Sequence, residues 1–347
     1  MPYFQEKTFA VVGVTGLVGQ EFLKILLQNG VPASNVKAIA SSKSINQQIQ
    51  YGAAQLTIQG LDDFDFTQCQ IGLFSPGASV SAQYAPRAVA AGCVVIDNTS
   101  FFRMVPDVPL IVPEINANEL VNAKRGIIAN PNCSTIQLVM ALHPIRHLSK
   151  IKKVIVATYQ SVSGAGKDAI MELRGAGPTA GTGPACGQAN AVFPQGIRGN
   201  LIPQIDVFLS GGCTKEEWKM DVETKKIFNE SIDVIATCVR VPVEYGHSEA
   251  VCFELEENVP LSDIHAALRA APGVCVADLE ANVYHTPKEI AGTDVVFVSR
   301  LRQDLNTGLY QMWVVADNIR KGAALNAVQI AQQLIVQRDC IGGVNGW

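Results

Sequence analysis

The sequence predicts an α/β protein with a Rossmann-type domain followed by a second, α+β domain. Three observations support this prediction. Short apolar runs alternate with helical periodicity up to about residue 130, a glycine-rich turn follows the first run, and the apolar runs after Lys150 lie close together or alternate in polarity. With 347 residues, 48% of them hydrophobic, the chain is long enough for about two domains that each bury a core.

The first part of the chain alternates strands with helices, which implies right-handed crossovers and a parallel sheet. The predicted strands are Thr8 to Val14, Val36 to Ala40, Ile71 to Ser75, Val94 to Asp97 and Ile127 to Ala129. The first predicted helix is Gly16 to Gln28, which stops at Gly30, and later strands are separated by helical or loop segments such as Ser79 to Ala91.

The second part is richer in strands, and their spacing favours antiparallel or mixed pairing. The predicted strands are Lys153 to Gln160, Val234 to Val243, Ala250 to Leu255, Val295 to Gln303 and Tyr310 to Ala316, and a last helix follows at about Ala323 to Gln337. We assign residues 1–132, with the C-terminal residues 319–347, to the first domain and residues 133–318 to the second. The Gly-, Pro- and Ala-rich stretch Gly175 to Gly199 is either a long excursion or an interface arm.

Composition argues against several classes of partner. A net charge of −4 without a basic cluster argues against nucleic acid, and no apolar stretch approaches the roughly 20 residues that span a bilayer. The polar segment Met1 to Thr8 does not resemble a signal peptide. Nine cysteines without a C-x-x-C pair suit the cytoplasm better than a disulfide framework, and without zinc-ligand spacing we expect no metal.

A glycine loop follows the first predicted strand and opens the first predicted helix. Its sequence is Gly13-Val14-Thr15-Gly16-Leu17-Val18-Gly19. Glycines let the backbone approach a pyrophosphate, and a helix N-terminus offers N–H groups and favourable charge. The loop therefore predicts a dinucleotide site that includes Gly13, Thr15, Gly16, Leu17 and Val18. The alternative is that a tight strand-to-helix turn needs glycine for steric reasons alone.

The end of the second strand bears on which dinucleotide is bound. An NAD site usually has Asp or Glu there for the ribose 2′-OH, whereas this chain has Ser41, Ser42, Lys43 and Ser44. Three hydroxyls and a cation suit a 2′-phosphate and so predict NADP. The alternative is a solvated polar loop.

Cys133 is the most informative single residue, because the turn Asn130-Pro131-Asn132 delivers it to the start of a helical pattern. The pattern continues to His143, and Pro144 is predicted to end it. The unpaired N–H groups and positive dipole end of such a helix favour a reactive thiolate.

Four further polar runs fall on predicted loops or strand ends: Asp97 to Arg103, Tyr159 to Gly166, Glu216 to Lys219 and Arg240 to Ser248. With Asn130 to Thr135 and Asp317 to Ala324, they give the chain a resemblance to the aspartate-semialdehyde dehydrogenase family along nearly its whole length. The most specific matching runs are Asn130 to Thr135, Gln160 to Gly166 and Arg240 to Ser248.

The resemblance implies an NADP-binding domain, a catalytic and dimerisation domain, and a homodimer. The implied reaction is the NADPH-dependent reductive dephosphorylation of 4-phospho-L-aspartate to aspartate 4-semialdehyde and phosphate, on the route to lysine, threonine and methionine. In the oxidative direction, the Cys133 thiolate adds to the aldehyde, hydride leaves to the nicotinamide, and phosphate cleaves the resulting thioester.

The resemblance also implies roles for single residues near Cys133. His247 is the general acid/base, Gln160 orients the substrate, and Asn132 helps to stabilise the oxyanion through a backbone or amide N–H. Ser163, Gly164 and Asn318 match positions near the cofactor. The other histidines, His143, His147, His265 and His285, are expected to be structural.

The remaining roles follow the charges of the substrate. By resemblance, Arg240 binds the α-carboxylate, Glu216 meets the ammonium group, and Lys219 with Arg103 holds phosphate. Because Glu216 and Lys219 are three residues apart on a predicted helix, an ordinary surface ion pair is the alternative.

The chain departs from the family pattern at two places. Lys43 stands where many relatives have arginine, so the positive charge is kept but the planar fork is lost. Pro76 removes a backbone donor from the run Ser75 to Ala78.

Three other functions compete with this interpretation. N-acetyl-gamma-glutamyl-phosphate reductase shares the fold and chemistry, but its acylated substrate has no use for the charge of Glu216. An inactive binding homologue would have lost Cys133, Gln160 or His247. A cysteine hydrolase leaves the glycine loop unexplained.

Overall fold

The computed structural model describes residues 2–176, 192–280 and 282–340. Its helices are α1 (Pro2–Gln5), α2 (Leu17–Gln28), α3 (Ala78–Ala90), α4 (Pro113–Asn116), α5 (Cys133–Arg146), α6 (Lys167–Arg174), α7 (Lys215–Phe228), α8 (Leu261–Ala270), α9 (Pro287–Ile290) and α10 (Leu325–Cys340). Its strands are β1 (Phe9–Val12), β2 (Val36–Ala40), β3 (Gln48–Tyr51), β4 (Ala54–Thr57), β5 (Gln59–Gly60), β6 (Ile71–Phe74), β7 (Val94–Asp97), β8 (Ile127–Ala129), β9 (Ile151–Gln160), β10 (Asp233–Arg240), β11 (His247–Leu255), β12 (Val274–Val276), β13 (Val296–Gln303) and β14 (Tyr310–Ala316).

The chain divides into two compact units. One unit consists of Met1–Pro131 with Ala323–Trp347, and the other of Asn132–Gly322. The described part contains no helix both long enough and apolar enough to cross a bilayer.

The first unit is built on a parallel sheet with the strand order β5-β2-β1-β6-β7-β8. Every residue of β1, β6 and β7 is buried, as expected for parallel strands rich in Val and Ile. The strand order reverses between β1 and β6. In such sheets a ligand binds in the crevice at the carboxyl ends of the strands on either side of the reversal.

The glycine loop lies at that reversal, between β1 and α2. A Cβ on Gly13, which has φ +83°, would lie 2.6 Å from the Ser75 carbonyl oxygen, so the loops after β1 and β6 approach closely only because Gly13 has no side chain. A Cβ on Gly19 would lie 2.2 Å from the Gly13 oxygen, so this glycine lets α2 pack against the turn that precedes it.

The second unit is built on a mixed sheet with the order β10-β9-β11-β14-β13-β12. The β9/β10 and β12/β13 pairs are parallel, and the pairs that join β9, β11, β14 and β13 are antiparallel. Alternate residues of β9, including Val154, Val156, Thr158 and Gln160, are buried. Helix α5 packs against this sheet and against α7 and α8. Most of its residues are buried, on every face of the helix.

The sequence predictions about several of these elements were incomplete or wrong. Pro144 does not end α5, which continues to Arg146, because a proline so close to the C-terminus disturbs only the last turn. The hairpin β3/β4 was not predicted. Residues Arg320–Ala324 form a π-helical turn, so α10 begins at Leu325. Most of the stretch Gly175 to Gly199, predicted to be a long excursion or an interface arm, lies outside the described residues.

Candidate active site

Cys133 is the first residue of α5, and Asn132 is the N-cap. The Asn132 side-chain oxygen accepts hydrogen bonds from the amides of Ser134 and Thr135 at 3.0 and 3.1 Å. The Asn132 Nδ2 group donates to Glu216 Oε1 at 2.8 Å, and its backbone N–H donates to Glu223 at 2.6 Å. All of these groups of Asn132 are therefore engaged in holding the helix start that presents Cys133.

Gly322 packs directly against the cysteine. A Cβ on Gly322 would lie 3.0 Å from the Cys133 Cβ atom, closer than a side chain tolerates without displacement. The π-helical turn that contains Gly322 thus brings backbone against Cys133. Sequence reasoning noted the run Asp317 to Ala324 but assigned no role to this glycine.

Glu216 is the centre of a buried polar cluster on α7. Its Oε1 atom accepts from Asn132 and, at 3.2 Å, from Gln160 Nε2, while Oε2 pairs with Lys219 at 3.1 Å. Lys219 also pairs with Asp206 at 2.8 Å. Glu216 is 4% exposed, so the pair with Lys219 is buried and is not the surface ion pair considered as an alternative.

The charge of Glu216 is maintained by its neighbours. Burial alone would raise the pKa of this carboxyl, but Lys219, the hydrogen bond from Asn132 and the more distant Arg240 together lower the pKa below its ordinary value. Glu216 is therefore an ionised carboxylate in the protein interior.

Arg240, at the end of β10, is also buried. Its Nη1 atom donates to the Ser161 carbonyl oxygen at 2.7 Å, and its guanidinium lies 5.9 Å from the centre of the Phe193 ring. Burial lowers the pKa of Arg240, against the opposing effects of Glu216 and Cys133. Arg240 therefore lies close enough to the carboxylate and to the cysteine to interact electrostatically with both.

His247 is the first residue of β11 and pairs with Ala316, so it lies at the end of a strand. It is fully buried. The Ser161 backbone N–H donates to His247 Nδ1 at 3.0 Å, and the Ser161 hydroxyl lies 3.1 Å from the same nitrogen.

Gly164 lies close to the side chains of both Arg240 and His247. A Cβ on Gly164 would lie 3.0 Å from Arg240 Nη1 and 3.3 Å from His247 Nε2. A glycine at this position therefore lets the guanidinium and the imidazole converge on one space.

The structure also brings Ser163 and Asn318 together. Asn318 Oδ1 accepts from the hydroxyls of Ser161 and Ser163 and from the Gly246 amide, at 3.1, 3.2 and 2.9 Å. The sequence analysis assigned no role to Ser161. Its backbone contacts Arg240 and His247, and the residue type does not reveal contacts made by the backbone.

The other predicted residues lie in the first unit. Arg103 is buried, and its Nε and Nη2 atoms donate to the carbonyl oxygens of Asn130 and Asn98 at 2.9 and 3.0 Å. Ser41, Ser42 and Lys43 form the exposed turn after β2.

The first unit is suited to hold a dinucleotide. Gly16 and Gly77 are the N-caps of α2 and α3, which follow the neighbouring strands β1 and β6, and neither N-cap supplies a side chain to the amides of the first turn. Thr15 precedes the N-cap Gly16, and Leu17 and Val18 are the first two residues of α2. Two glycine-capped helix N-termini at a strand-order reversal suit a pyrophosphate.

No group of three or more His, Cys, Asp or Glu side chains suited to a metal ion occurs among residues 2–176, 192–280 and 282–340. The cysteines that the structure describes as free are Cys69, Cys93, Cys133, Cys213, Cys238, Cys252 and Cys275. Burial raises the pKa of Cys69 to about 12 and raises those of Cys93 and Cys238 further. Buried thiols of this kind are unreactive.

Comparison with known proteins agrees with this arrangement. Residues 8–123 match the family described as semialdehyde dehydrogenase, NAD binding domain, and residues 142–321 match semialdehyde dehydrogenase, dimerisation domain. The chain therefore belongs to the semialdehyde dehydrogenases, enzymes with a nicotinamide-binding domain.

Similarity to individual proteins narrows the assignment. The chain is 48% identical to the aspartate-semialdehyde dehydrogenase of Shewanella violacea, over 95% of this chain and 98% of that protein. It is 50% identical to that of Legionella pneumophila, with 95% of each chain covered. A crystal structure of aspartate semialdehyde dehydrogenase II from Vibrio cholerae, complexed with ASA, has a TM-score of 0.89 and 43% identity, and covers 95% of this chain and 98% of that one. Within the family, this chain belongs to the aspartate-semialdehyde dehydrogenases.

Replacing Glu216 with glutamine tests the buried cluster. Because the folded protein lowers the pKa of Glu216, its charge contributes stability above the unfolded pKa, and this contribution is lost as pH falls through the folded value. Glu216→Gln should lower the free energy of unfolding by about 3 kcal/mol at pH 7, and the deficit should shrink below roughly pH 4.

Urea denaturation across that pH range measures the effect. Asp221→Asn is the matched control, because it removes a half-exposed ion pair with Lys225 on the same helix and should cost about 0.5 kcal/mol. If the loss of unfolding free energy in Glu216→Gln does not depend on pH, Glu216 is not ionised in the folded protein.

Proposed function

We propose that this chain catalyses the NADPH-dependent reductive dephosphorylation of 4-phospho-L-aspartate to L-aspartate 4-semialdehyde and phosphate. The observation that carries the proposal is that Arg240 interacts electrostatically with two groups, the partly exposed Cys133 at the start of α5 and the buried, ionised Glu216. A small substrate with an electrophilic carbonyl, an ammonium group and a carboxylate matches these three groups.

The chemistry begins at Cys133. Its thiolate, favoured by the N-terminus of α5, attacks the acyl-phosphate carbonyl, the C–S bond forms, and phosphate leaves with the electron pair of its C–O bond. The nicotinamide supplies hydride to the thioester carbonyl when it is bound. The carbonyl then re-forms, the C–S bond breaks, and Cys133 is released as thiolate.

The charged residues orient the substrate. Arg240 binds the α-carboxylate through its planar fork, and Glu216 binds the ammonium group. Gln160, held 3.2 Å from Glu216, orients the chain between them. Lys219 and Arg103 are proposed to bind phosphate, for which Lys219 must exchange its contact with Asp206.

Glu216 distinguishes this substrate from the N-acetyl-glutamyl analogue. A carboxylate that is buried and ionised is stabilised by a cationic ligand and has no corresponding partner on an acylated amine. An absorbance assay of reduced nicotinamide with aspartate semialdehyde and phosphate, repeated with N-acetylglutamate semialdehyde, tests this. Activity only with the second aldehyde would overturn the proposal, and nicotinamide reduction without phosphate would indicate that water, not phosphate, cleaves the thioester.

The cofactor is proposed to be NADP. The turn after β2 offers Ser41, Ser42 and Lys43 in exposed positions and has no carboxylate for a ribose 2′-OH. The free cysteines of the described residues suit a reducing compartment, so we propose that the enzyme is cytoplasmic and serves the biosynthesis of lysine, threonine and methionine.

A homodimer is proposed through the face of the second sheet that carries exposed apolar residues. Ile235 and Ile155 are paired across β10 and β9, and they are 55% and 45% exposed. The ring of Tyr159, also on β9, packs against that of Trp313 on β14, with ring centres 5.5 Å apart. Exposed apolar residues that are contiguous on a sheet are typical of a subunit interface.

Cys133→Ser should abolish turnover and leave NADPH binding near normal, because serine cannot supply a thiolate for acylation. Steady-state assays and fluorescence titration with NADPH measure the two properties. Cys275→Ser, at an exposed position of β12, is the control and should keep full activity. Turnover retained by Cys133→Ser would reject the covalent mechanism.

Arg240→Lys should raise KM for the semialdehyde and lower kcat, each by about tenfold, because one point charge cannot replace a bidentate clamp. Initial-rate kinetics provide the measurement. Arg302→Lys, at an exposed position of β13, should leave both constants unchanged. If the kinetics of the two variants are the same, Arg240 is not a substrate ligand.

Lys43→Ala should lower kcat/KM for NADPH about tenfold without changing the value for NADH, since an exposed charge-assisted contact of about 1.4 kcal/mol is lost. Lys37→Ala, on β2 before the turn, is the control. Equal losses with the two cofactors would exclude Lys43 from contact with a 2′-phosphate.

Ile235→Asp should convert the dimer to a monomer, because burying an unpaired carboxylate in an apolar interface is costly. Light scattering after size exclusion reports the mass. Leu305→Asp is the matched control and should remain dimeric, since Leu305 is 93% exposed but lies outside the sheet, between β13 and β14. An unchanged dimer in both variants would place the interface elsewhere.

A further inference from the structure

We propose that Glu249 is an uncharged carboxylic acid that forms a reciprocal hydrogen-bonded pair with the side-chain amide of Gln137, and that this pair fixes the helix of Cys133 to the strand of His247. Glu249 and Gln137 are therefore positioning residues, and neither contacts the substrate. The positioning role rests on the proposed function, because it concerns the nucleophile of that reaction. The charge state of Glu249 does not depend on it.

Both members of the pair adjoin residues of the candidate site. Gln137 follows Cys133 by four residues, so the two side chains lie on the same face of α5. Glu249 follows His247 by two residues, so these two lie on the same face of β11. Helix α5 packs against β11. A link between Gln137 and Glu249 therefore holds the helix to the strand close to Cys133 and His247.

Glu249 lies inside the second unit, on an inner strand of its sheet. It pairs with Thr158 on β9 and with Val314 on β14, and all three residues are fully buried. Neither carboxyl oxygen of Glu249 has a hydrogen-bond partner of good geometry among the described residues. An ionised carboxylate without donors would be very costly at such a position.

The cations on the surrounding elements do not neutralise Glu249. Arg146, at the end of α5, and Lys152, at the start of β9, already pair with other glutamates, and Lys153 is exposed. Arg240, on the adjoining strand β10, interacts with groups of the candidate site. The other ionisable side chains of α5, β9, β10, β11 and β14 carry no positive charge at neutral pH: Cys133, His143, Tyr159, Asp233, Cys238, His247, Cys252, Glu254 and Tyr310.

The pKa of Glu249 agrees with a neutral group. Burial raises the pKa well above its ordinary value, and hydrogen bonding from Gln137 acts in the opposite direction but is the smaller effect. Glu249 thus contrasts with Glu216, whose buried carboxyl has cations and donors that keep it ionised.

Gln137 supplies the complementary groups. It is buried beside Glu249, and both of its amide atoms, like both carboxyl oxygens, lack another partner among the described residues. A carboxylate can only accept, so it would leave the amide oxygen without a donor. A carboxylic acid accepts from the amide N–H and donates its own O–H to the amide oxygen. The neutral form alone satisfies all four buried atoms.

Infrared difference spectroscopy of the whole enzyme, wild type against Glu249→Gln, tests the charge state without substrate. At about pH 7 the wild type should show the carbonyl stretching band of a protonated carboxylic acid, and Glu249→Gln should lack it. A carboxylate band lost in its place would overturn the proposal.

Urea denaturation of the same two proteins gives an independent measure. Because the folded protein raises the pKa of Glu249, the folded state binds more protons than the unfolded state between the two pKa values, so wild-type stability falls as pH rises through that window. The urea midpoint of Glu249→Gln, relative to that of the wild type, should therefore rise from about pH 5 to about pH 8. A difference that does not change with pH would contradict a neutral Glu249.

Exchange of the acid and the amide tests the positioning. Gln137→Leu leaves the acid without a partner and should lower kcat about tenfold, while KM for NADPH changes less than about twofold. Gln137→Glu combined with Glu249→Gln again places one acid opposite one amide, so kcat should return to within about threefold of the wild-type value. Ser299→Ala removes a buried, unpartnered hydroxyl on β13 and is the control, with kcat unchanged.

Three kinetic results would overturn the positioning role. They are wild-type kcat in Gln137→Leu, an exchanged variant no more active than Gln137→Leu, and a loss of more than about tenfold in Glu249→Gln, which keeps two hydrogen bonds between amides. If the wild type does not turn over aspartate semialdehyde, the proposed function fails. The infrared and urea results then still decide the charge of Glu249.

Discussion

The second unit depends on one carboxylate, that of Glu216, remaining ionised inside the protein. It joins the cap of α5, the end of β9 and a lysine of its own helix, so the position of the nucleophile and that of Gln160 share one electrostatic anchor. Removing a charge from such a cluster leaves its donors without an acceptor, which is costlier than losing a surface pair. The carboxylate that is proposed to bind the substrate ammonium group is therefore also a structural element.

Much of the fold could be predicted from the sequence, because buried parallel strands form short apolar runs with clear ends. β7, β8 and β14 agree with the predicted bounds, and β2 does as well. The hairpin β3/β4 escaped because its residues are mostly polar and exposed. The end of α5 and the π-helical turn escaped because packing in the finished fold determines them, not local propensity.

The site, too, could be predicted only in part from the sequence. Side-chain chemistry is visible in sequence, so Cys133, Glu216 and Arg240 could be proposed from residue type, motif and resemblance. Backbone chemistry is not visible: the N–H and C=O of Ser161 direct His247 and Arg240, and a serine is not needed for either bond. Contacts that exist because a side chain is missing, as at Gly322, are also recognisable only in three dimensions.

The contrasting environments of the cysteines bear on selective inhibition. Cys69, Cys93 and Cys238 are enclosed by the core and hold their protons firmly, while Cys133 is partly exposed at a helix start. An electrophilic inhibitor therefore has few competing targets among the described thiols, chiefly the exposed Cys213 and Cys275. A warhead with an anionic group placed for Arg240 would distinguish Cys133 from both by recognition, without greater intrinsic reactivity.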